Sequence, residues 1–390
     1  MIVRSHVGRG RLPRDSALHV DSKETLPVQF RRQNRSAKSA LRIAAQVAGT
    51  VAGAFLISRY LNYHPRSLDQ EEASNVGAAP ILSPDQPIKA ITFNVQFMAG
   101  TGYHFFYDGG PHTLVDRRDI ESTVARVGAF IADTNPDFVL LQEVDCGARR
   151  SAYLDEVMLL RDALPADLRN HVSTFYWKSK FVPHPKIMGS AGTKLVLFSR
   201  YRLGKARRYQ LPSTPGNPIE RDFNFKRAIL EVEIPLADGK NLVILNTHLE
   251  AFPKGTNVME RQIKRLLWRL KSLDEQDVPW ILGGDFNLLP PGQSALLSHE
   301  ARGLHGEPTE ICSIYERYVG VPTIAEATGE HMRRYFTFTQ PSGANRLPVR
   351  TLDYFFAAPK VAIETYRVMQ EGMMELSDHL PLVANFRLAV

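Results

Sequence analysis

From residue 88 onwards the chain alternates short apolar runs with stretches of helical periodicity, a pattern typical of a layered α/β domain. The apolar runs predict eight strands, at residues 88–95, 137–144, 194–199, 228–234, 242–248, 279–285, 351–357 and 382–388. Periodic apolar positions predict helices at residues 119–133, 153–163 and 258–273. Asp238 and Gly239 separate two strand-like runs and predict a hairpin, so we expect an antiparallel pair within the sheet.

The first 87 residues follow a different pattern and predict three further segments. Residues 1–42 mix Arg, Ser, Pro and Gly without apolar periodicity, so we expect a flexible basic leader. Residues 43–57 are almost entirely apolar, and residues 43–61 are therefore a candidate membrane-anchor helix. Residues 62–87 contain four Pro and an acidic patch, which predicts a linker to one large domain at residues 88–390.

The apolar run at residues 43–57 has three interpretations. It is shorter than the roughly 20 residues that cross the hydrocarbon of a bilayer directly, and Gln46 and Thr50 interrupt it. It is a single-pass anchor, a targeting region that is removed, or a helix packed on the domain. If it spans a membrane, the basic leader stays on the cytoplasmic side and the large domain lies on the non-cytoplasmic side.

The basic charge of the chain is confined to the leader. The formal net charge is +7, and residues 1–42 carry ten Lys and Arg against three acids, which accounts for all of it. The rest of the chain is neutral and lacks the basic excess expected of a protein that neutralises many nucleic-acid phosphates. Cys146 and Cys312 are the only cysteines, which excludes a disulfide framework and a cysteine-rich zinc site.

Polar residues that suit metal or phosphate chemistry recur where the apolar runs end. A strand end holds its side chain at the sheet edge on rigid backbone, and several such ends can converge. Any one of these residues has an ordinary structural explanation, such as a turn closed by Asn, but their joint occurrence favours a functional site. They are Asn94, Glu143, Asn246, His248, Asp285, Asn287, Asp353, Asp378 and His379.

The chemistry of these side chains indicates a hard divalent cation. Carboxylate and amide oxygens without thiolates fit magnesium better than zinc. Such an ion neutralises charge on phosphate oxygens and on a departing alkoxide, which predicts hydrolysis of phosphoester bonds. The chain has no G-x-x-x-x-G-K-[ST] loop and no G-x-S-x-G elbow, so the usual signatures of nucleotide-driven phosphotransfer and of serine acyl transfer are missing.

Five motifs, in order along the chain, carry a family resemblance: QEVD, NTHLEA, GGDFN, LDYFF and SDHLP. Together they resemble the endonuclease/exonuclease/phosphatase superfamily of DNase I-like metal-dependent phosphohydrolases, over residues 88–390. The resemblance implies an α/β fold, a four-layered sandwich of two packed mixed or antiparallel sheets flanked by helices. It also implies an active site at one edge of the two sheets.

The resemblance further implies which residues bind the metal. Asn94 and Glu143 match the metal-site pair, with Glu143 as the direct ligand, and Asp378 lies near the metal. The implied cofactor is Mg²⁺, with Mn²⁺ as a substitute.

The catalytic roles that the resemblance implies fall on five residues. Asp285 would orient or deprotonate the attacking water, and Asn287 would hold the phosphate. His379 would contact the scissile phosphate or assist the attack, oriented by Asp353. His248 would bond the phosphate and stabilise charge on it. A carboxylate beside one ring nitrogen fixes the tautomer of a histidine and favours its charged form.

Further candidates stay open between a functional and a structural interpretation. Lys194, Arg200 and Arg227 would be phosphate contacts or structural salt bridges. Two aromatic-rich segments, residues 100–112 and 173–185, are interpreted as insertions that form either a platform beside the site or ordinary packing under long loops.

The sequence supports three hypotheses about function. The favoured one is a magnesium-dependent phosphodiesterase or phosphatase acting on a lipid or small-molecule phosphoester, associated with a membrane through residues 43–57. The alternative is an endonuclease or exonuclease acting on DNA or RNA, and the neutral charge of the domain argues against it. The third is a catalytically inactive binding protein, which the retention of every expected site residue disfavours.

Overall fold

The structure is a computed structural model that describes residues 29–105, 111–251, 255–303, 305, 307–339 and 347–389. The chain divides into two compact units, Met1–Gly53 and Ala54–Val390. Its helices are α1 (Gln29–Leu61), α2 (Arg117–Thr134), α3 (Glu156–Ala163), α4 (Pro218–Phe223), α5 (Val258–Asp274), α6 (His299–Arg302), α7 (Cys312–Tyr315) and α8 (Ile324–Thr328).

The strands of the second unit form two large mixed sheets and one small hairpin. They are β1 (Leu68–Glu71), β2 (Ile88–Asn94), β3 (Phe138–Asp145), β4 (Asn170–Val182), β5 (Gly189–Ser199), β6 (Ala206–Gln210), β7 (Ala228–Pro235), β8 (Asn241–His248), β9 (Trp280–Asp285), β10 (Val319–Val321), β11 (Phe338–Thr339), β12 (Pro348–Arg350), β13 (Asp353–Ala357), β14 (Val361–Val368) and β15 (Leu382–Leu388). The larger sheet has the order β1-β6-β7-β8-β9-β13-β10, and the smaller has the order β14-β15-β2-β3-β5-β4.

The two large sheets pack face to face around one apolar core. Strands β2 and β3 of the smaller sheet lie against β8, β9 and β13 of the larger one. Leu140, Leu282 and Phe355 from these strands are fully buried. Helices α2 and α3 cover the outer face of the smaller sheet, and α5 and α7 lie on the side of the larger. The four-layered α/β sandwich implied by the sequence motifs is therefore confirmed.

Each large sheet contains one parallel pair of strands connected by a helix. Strand β2 pairs in parallel with β3, and α2 connects them. Strand β8 pairs in parallel with β9, and α5 connects them. The remaining pairings in both sheets are antiparallel, including the hairpin of β7 and β8 predicted from Asp238 and Gly239. Parallel neighbours end at the same sheet edge, so β2, β3, β8 and β9 can deliver side chains to one place.

The eight predicted strands are confirmed as β2, β3, β5, β7, β8, β9, β13 and β15. The helix predicted at residues 153–163 begins later, at Glu156, because Ala152 and Tyr153 adopt positive φ angles of 52° and 60°. The interpretation of residues 173–185 as an insertion is wrong for most of that segment, because β4 extends to Val182. Its alternation of polar and apolar residues is that of a half-buried strand.

The N-terminal segments differ from their expected boundaries. Helix α1 starts before the apolar run. Its stretch Lys38–Leu61 is strongly apolar, and the most apolar part of that stretch is not buried. By length and composition alone, that stretch is long enough to cross a membrane. Residues 62–87 were expected to be a linker, yet β1 pairs with β6 and the side chain of Leu82 is fully buried. Much of this segment is therefore built into the domain.

Candidate active site

Six strand termini converge at one edge of the two packed sheets. Strands β2, β8 and β9 end there with Asn94, His248 and Asp285, and Glu143 lies two residues before the end of β3. Strands β13 and β15 begin there instead, because they run antiparallel to β9 and β2. Asp353, expected inside a strand, is the first residue of β13 and pairs in register with Asp285. The chain thus brings together residues that are far apart in sequence.

Two glycines let β9 approach its neighbours closely enough to place Asp285. At Gly284, φ is +154°, and a Cβ atom would lie 2.1 Å from the backbone oxygen of Thr247 in β8. At Gly283, a Cβ atom would lie 2.5 Å from a ring carbon of Phe355 in β13. The GG of the GGDFN motif therefore has a steric cause, since any side chain would push β9 away from both adjacent strands.

Asp285 lies at the centre of the cluster and is almost completely buried. Its Oδ2 accepts a hydrogen bond from Nδ2 of Asn94 at 3.0 Å, and it lies 3.3 Å from Nε2 of His248 and 3.5 Å from Nε2 of His379. Its Oδ1 accepts from the backbone N–H of Asn287 at 2.9 Å. Burial raises the pKa of Asp285 to about 6, although the charge of His379 opposes that rise.

His379 forms a charged pair with Asp353. Nδ1 of His379 lies 2.8 Å from Oδ2 of Asp353, and both side chains are buried. Burial lowers the pKa of His379, but the charges of Asp353 and Asp285 outweigh it and raise the pKa to about 10. The imidazolium form therefore persists through neutral pH, as expected for a histidine held by a carboxylate.

His248 has the opposite protonation state. Its Nε2 lies 3.0 Å from Nδ2 of Asn287, and its Nδ1 lies 3.4 Å from the hydroxyl of Tyr176. Burial lowers the pKa of His248 well below its ordinary value, and the charges of Arg227 and His379 lower it further. The ring is therefore neutral at neutral pH, with one N–H donor and one acceptor nitrogen. The site holds one charged and one neutral histidine.

Glu143 is presented to the site by an irregularity in β3. Its φ is 58°, and the register between β3 and β5 shifts between Leu141 and Val144. Nδ2 of Asn94 donates to Oε1 of Glu143 at 3.2 Å. Burial raises the pKa of Glu143, and the charge of Arg150 is the strongest effect that opposes this rise. A bulge of this kind redirects one side chain out of the regular alternation of a strand.

Asp378 lies beside this cluster rather than at its centre. Its backbone N–H donates to Oε1 of Gln96 at 2.9 Å, and its carbonyl accepts from the N–H of Thr339 at 2.7 Å. The preceding Ser377 donates through Oγ to the carbonyl of Asn94 at 2.7 Å. These bonds fix the SDH segment against the end of β2. The negative charge of Asp378 also adds to the field that raises the pKa of His379.

The three basic candidates separate clearly. Arg200 is a structural residue, because its guanidinium bonds the carbonyl of Pro136 and the side chains of Asp167 and Asn135. Lys194 donates to Oγ of Ser173 at 3.2 Å, which also indicates a structural role. Arg227 is 2% exposed and lies above the rings of Tyr176 and Phe225, and its charge lowers the pKa of His248. Of the three, only Arg227 lies close enough to affect a site histidine, and it also forms an ion pair with Glu250 at 4.0 Å, so both of its interpretations stay open.

Several features of the donor set fit a divalent cation. Burial raises the pKa of both Glu143 and Asp285, so their negative charges are incompletely balanced by the protein. Within the described residues, the buried Oδ1 of Asp353 has no hydrogen-bond partner. Ligand atoms of Asp285, Asp353 and His379 all lie within 4.8 Å of one another. While His379 is charged, its Nδ1 proton is shared with Asp353. Asp285, Asp353 and His379 then form a hydrogen-bonded group of two carboxylates and an imidazolium.

Sequence reasoning missed two neighbours of the site. Tyr176, which contacts His248, lies in a segment expected to be an insertion, and only its strand periodicity could have indicated that it points inwards. Arg150 pairs with Asp145 through distances of 2.6 and 2.9 Å. Its guanidinium carbon is 3.7 Å from the ring centre of Phe97. The RRS run that contains Arg150 carries no pattern that distinguishes it from a surface turn.

The fold and the clustered acids, amides and histidines together define a metal-dependent phosphoester hydrolase with a DNase I-like architecture. A sequence profile of the Endonuclease/Exonuclease/phosphatase family matches residues 91–379, which is more than half of the chain. The chain therefore belongs to that family, as its motifs predicted.

Solved structures show the same fold at low sequence identity. An endonuclease/exonuclease/phosphatase from Beutenbergia cavernae has a TM-score of 0.50 and 20% identity, over 77% of this chain and 72% of that one. The human Nocturnin catalytic domain with a bound sulfate anion has a TM-score of 0.50 and 17% identity, over 82% of this chain and 97% of that one. The comparison with curated proteins gives no match.

Proposed function

We propose that the protein is a magnesium-dependent hydrolase of lipid or small-molecule phosphoesters. The observation that carries the proposal is the meeting of Glu143, Asp285 and His379 at one sheet edge. Asn94 connects two of them, since its Nδ2 donates to both carboxylates. Opposite pKa shifts at neighbouring titratable groups are typical of acid–base catalysis.

In this proposal, Glu143 is the direct metal ligand, Asn94 orients it, and Asp378 lies near the ion. Among the carboxylates of Glu143, Asp285 and Asp353, only Glu143 is half-buried rather than buried. Partial exposure suits a metal ligand that faces the substrate. When bound, Mg²⁺ supplies positive charge to the phosphate and to the leaving oxygen. Oxygen ligands favour Mg²⁺, with Mn²⁺ as a substitute.

Asp285 is the proposed general base for the attacking water. A carboxyl group with a pKa of about 6 is ionised at neutral pH and basic enough to accept a proton. The backbone N–H of Asn287 holds Oδ1 of Asp285, which fixes the carboxylate plane. In this proposal, the side chain of Asn287 exchanges one of its present hydrogen bonds, to His248 or to the carbonyl of Leu249, for a phosphate oxygen.

The two histidines are proposed to contact the phosphate in different ways. His379 is charged through neutral pH, so it cannot accept the proton of water; it donates a charge-assisted hydrogen bond to the scissile phosphate. Asp353 keeps the ring in that state and orientation. His248 is neutral and stabilises the phosphate by hydrogen bonding. Arg227 contributes a further positive charge close to His248.

The proposed substrate class is a lipid or small phosphoester, with residues 43–57 anchoring the protein to a membrane. Two features support this choice over nucleic acid. The chain beyond residue 42 has no basic excess, and α1 contains an unburied stretch long and apolar enough to span a bilayer. With the basic leader on the cytoplasmic side, the catalytic domain lies on the non-cytoplasmic side.

Hydrolysis of DNA or RNA remains the alternative function. The family includes endonucleases and exonucleases by its own description. A nuclease of this kind would need cations along a strand of phosphates, and its affinity would fall steeply with salt. Salt dependence therefore separates the two candidates.

The deciding experiment is a substrate screen with the full chain in detergent micelles. Phospholipids, small phosphomonoesters and phosphodiesters, plasmid DNA and RNA oligonucleotides are each incubated with Mg²⁺, with Mn²⁺ and with EDTA. We expect release of phosphate or headgroup from a lipid or small phosphoester, and EDTA should abolish it. If only nucleic acid is cleaved, the alternative holds; if nothing is cleaved with either metal, the proposed function is wrong.

Site variants test the assigned roles on whichever substrate is cleaved. Glu143→Gln, Asp285→Asn and His379→Ala should each lower kcat by at least about 100-fold, because each removes a positioned charge or proton-transfer group. Glu260→Gln is the matched control, since Glu260 is a half-exposed residue of α5 that pairs with Lys264. Retained turnover in all three site variants would show that the site is misplaced.

A further inference from the structure

The hairpin of β4 and β5 ends in an exposed tip, residues 178–188, with a distinctive composition. Its sequence, KSKFVPHPKIM, contains three Lys and no acidic residue. Lys178 and Lys180 are exposed, and so are 37% of Phe181 and 49% of Met188. Apolar side chains beside cations suit the headgroup layer of an anionic bilayer, where the former enter the boundary and the latter are attracted to lipid charge.

The hairpin tip is connected directly to the C-terminal end of α1. Both belong to the unit Ala54–Val390. Three contacts join them: a β-bridge between Asn62 and Ser179, a hydrogen bond of 3.1 Å from the N–H of Tyr63 to the carbonyl of Lys178, and Nζ of Lys180 at 3.7 Å from the ring centre of Tyr60.

A second group of contacts holds the same helix end against α4. Oγ of Ser58 donates to Oδ2 of Asp222 at 2.8 Å, and Arg59 pairs with Oδ1 of that carboxylate at 3.3 Å. Ser58 and Asp222 are buried. The last turn of α1 is therefore fixed to the domain at two places, and the hairpin tip lies beside it.

We propose that the hairpin tip and the end of α1 form one surface that contacts the headgroup layer of an anionic phospholipid bilayer. The proposal rests on the membrane anchorage by α1 proposed above, and it requires anionic lipid in the non-cytoplasmic leaflet, which the domain faces. It goes further because a helix alone tethers the domain, whereas this surface also fixes which side of the domain faces the lipid.

The position of this surface has a consequence for the substrate. Tyr176 lies two residues before Lys178 on β4, and its hydroxyl is 3.4 Å from Nδ1 of His248. A strand rises about 3.3 Å per residue, so the base of the tip is roughly 7 Å along β4 from Tyr176. The surface therefore holds the wall of the active site close to the bilayer, where the phosphoesters are those of lipid headgroups.

The test measures the depth of the hairpin tip in vesicles that contain the full chain. In a Cys146→Ser, Cys312→Ser background, an environment-sensitive fluorophore is attached at Phe181→Cys, and separately at Met188→Cys. The control label is at Val319→Cys, which is 63% exposed at the start of β10. Vesicles are made of phosphatidylcholine alone or mixed with phosphatidylglycerol, with a quencher attached to the lipid.

We expect the labels at both tip positions to be quenched at least about threefold more than the control label in anionic vesicles, and less in neutral ones. Lys178→Glu with Lys180→Glu should bring the quenching down to the level of the control. Lys264→Glu with Lys271→Glu is the matched charge reversal, on the exposed face of α5, and should leave the quenching unchanged.

Three results would overturn the proposal. The first is quenching at both tip positions that is no greater than at Val319. The second is quenching that changes neither with lipid charge nor with the lysine reversal. The third is a concentration-dependent burial of the labels in lipid-free detergent, which would mean that a second copy covers the tip. The readout is independent of turnover. If the tip contacts lipid but the protein hydrolyses no phosphoester, the proposed function is wrong and the proposed membrane-contact surface is still supported.

Discussion

At the scale of single residues, the protonation states in the site follow from which charges each group faces. Asp285 lies within 3.5 Å of both rings, but His379 also pairs with Asp353 and is charged, whereas His248 lies near the charges of Arg227 and His379 and is neutral. Burial acts on both rings in the same direction, since it disfavours the charged form. The two histidines differ because of their neighbours and not because of their depth.

The charged state of His379 predicts a pH-dependent stability. Its pKa is about 10 in the folded protein against 6.5 as a free side chain, so its contribution to the free energy of unfolding is complete below about pH 6.5 and is lost as pH rises through about 10. In EDTA, the stability difference between the wild type and His379→Gln should therefore shrink steadily between those two values, as measured by urea denaturation.

Asp353→Asn provides the companion measurement, because it removes the carboxylate nearest to His379. Its own stability difference from the wild type should shrink over the same pH range. A difference that stays constant across that range in both variants would mean that His379 is not held in its charged form by Asp353.

The residue types of the site could be identified from sequence, but two details of their arrangement could not. Acids, amides and histidines at the ends of apolar runs were sufficient to name Asn94, Glu143, His248, Asp285 and His379. The left-handed backbone of Glu143 and the contact of Tyr176 with His248 depend on long-range pairing of β3, β4 and β5. Local patterns do not encode such pairings.

At the scale of elements, the predictable strands are those buried on both faces. Strands β2, β8 and β9 are almost wholly buried, and each contains a short apolar run, as expected of inner strands whose two faces are both covered. The missed strands have mixed or polar sequences: β1 reads LDQE, and β14, at the edge of its sheet, consists mainly of half-buried and exposed residues. Edge strands need few apolar residues, so their sequences resemble those of loops.

Gly284→Ala tests the close packing of β9 on β8. The new methyl group would lie 2.1 Å from the backbone oxygen of Thr247, so β9 must shift and carry Asp285 with it. We expect a loss of about 2–4 kcal/mol in the free energy of unfolding, together with a fall in kcat, measured by urea denaturation and steady-state kinetics.

Gly239→Ala is the matched control for this substitution. Gly239 also has a positive φ, of 83°, but a Cβ atom there meets nothing within 4 Å. It should lose only the roughly 1 kcal/mol of backbone strain and keep its activity. Equal effects of the two substitutions would mean that steric contact with β8 does not position Asp285.

At the scale of the whole molecule, the distribution of charge and apolar surface has a clear order along the chain. The net positive charge lies in residues 1–42, the apolar stretch follows in α1, and the neutral remainder carries the site. This order of basic, apolar and neutral segments could be predicted from the amino-acid composition along the chain. The fixed connection between the end of α1 and β4 was not, because it depends on a bridge between Asn62 and Ser179, which are distant in sequence.

Metal binding should raise the stability of the whole domain, because the proposed ligands meet only when both sheets are assembled. A ligand that binds the folded state alone adds about 2.7 kcal/mol when its free concentration is about 100 times its Kd. Adding Mg²⁺ to protein freed of metal should therefore raise Tm, as measured by calorimetry, and Glu143→Gln should abolish the rise. Glu260→Gln should keep it, and an equal rise in both variants would place the ion elsewhere.

The paired β–helix–β units have a consequence for how this enzyme is constrained. The unit of β2, α2 and β3 contributes Asn94 and Glu143, and the unit of β8, α5 and β9 contributes His248 and Asp285. Neither β–helix–β unit contains a complete active site, because the catalytic residues meet only where the two sheets pack together. Substitutions of the apolar side chains packed between the two sheets should therefore lower turnover as well as stability.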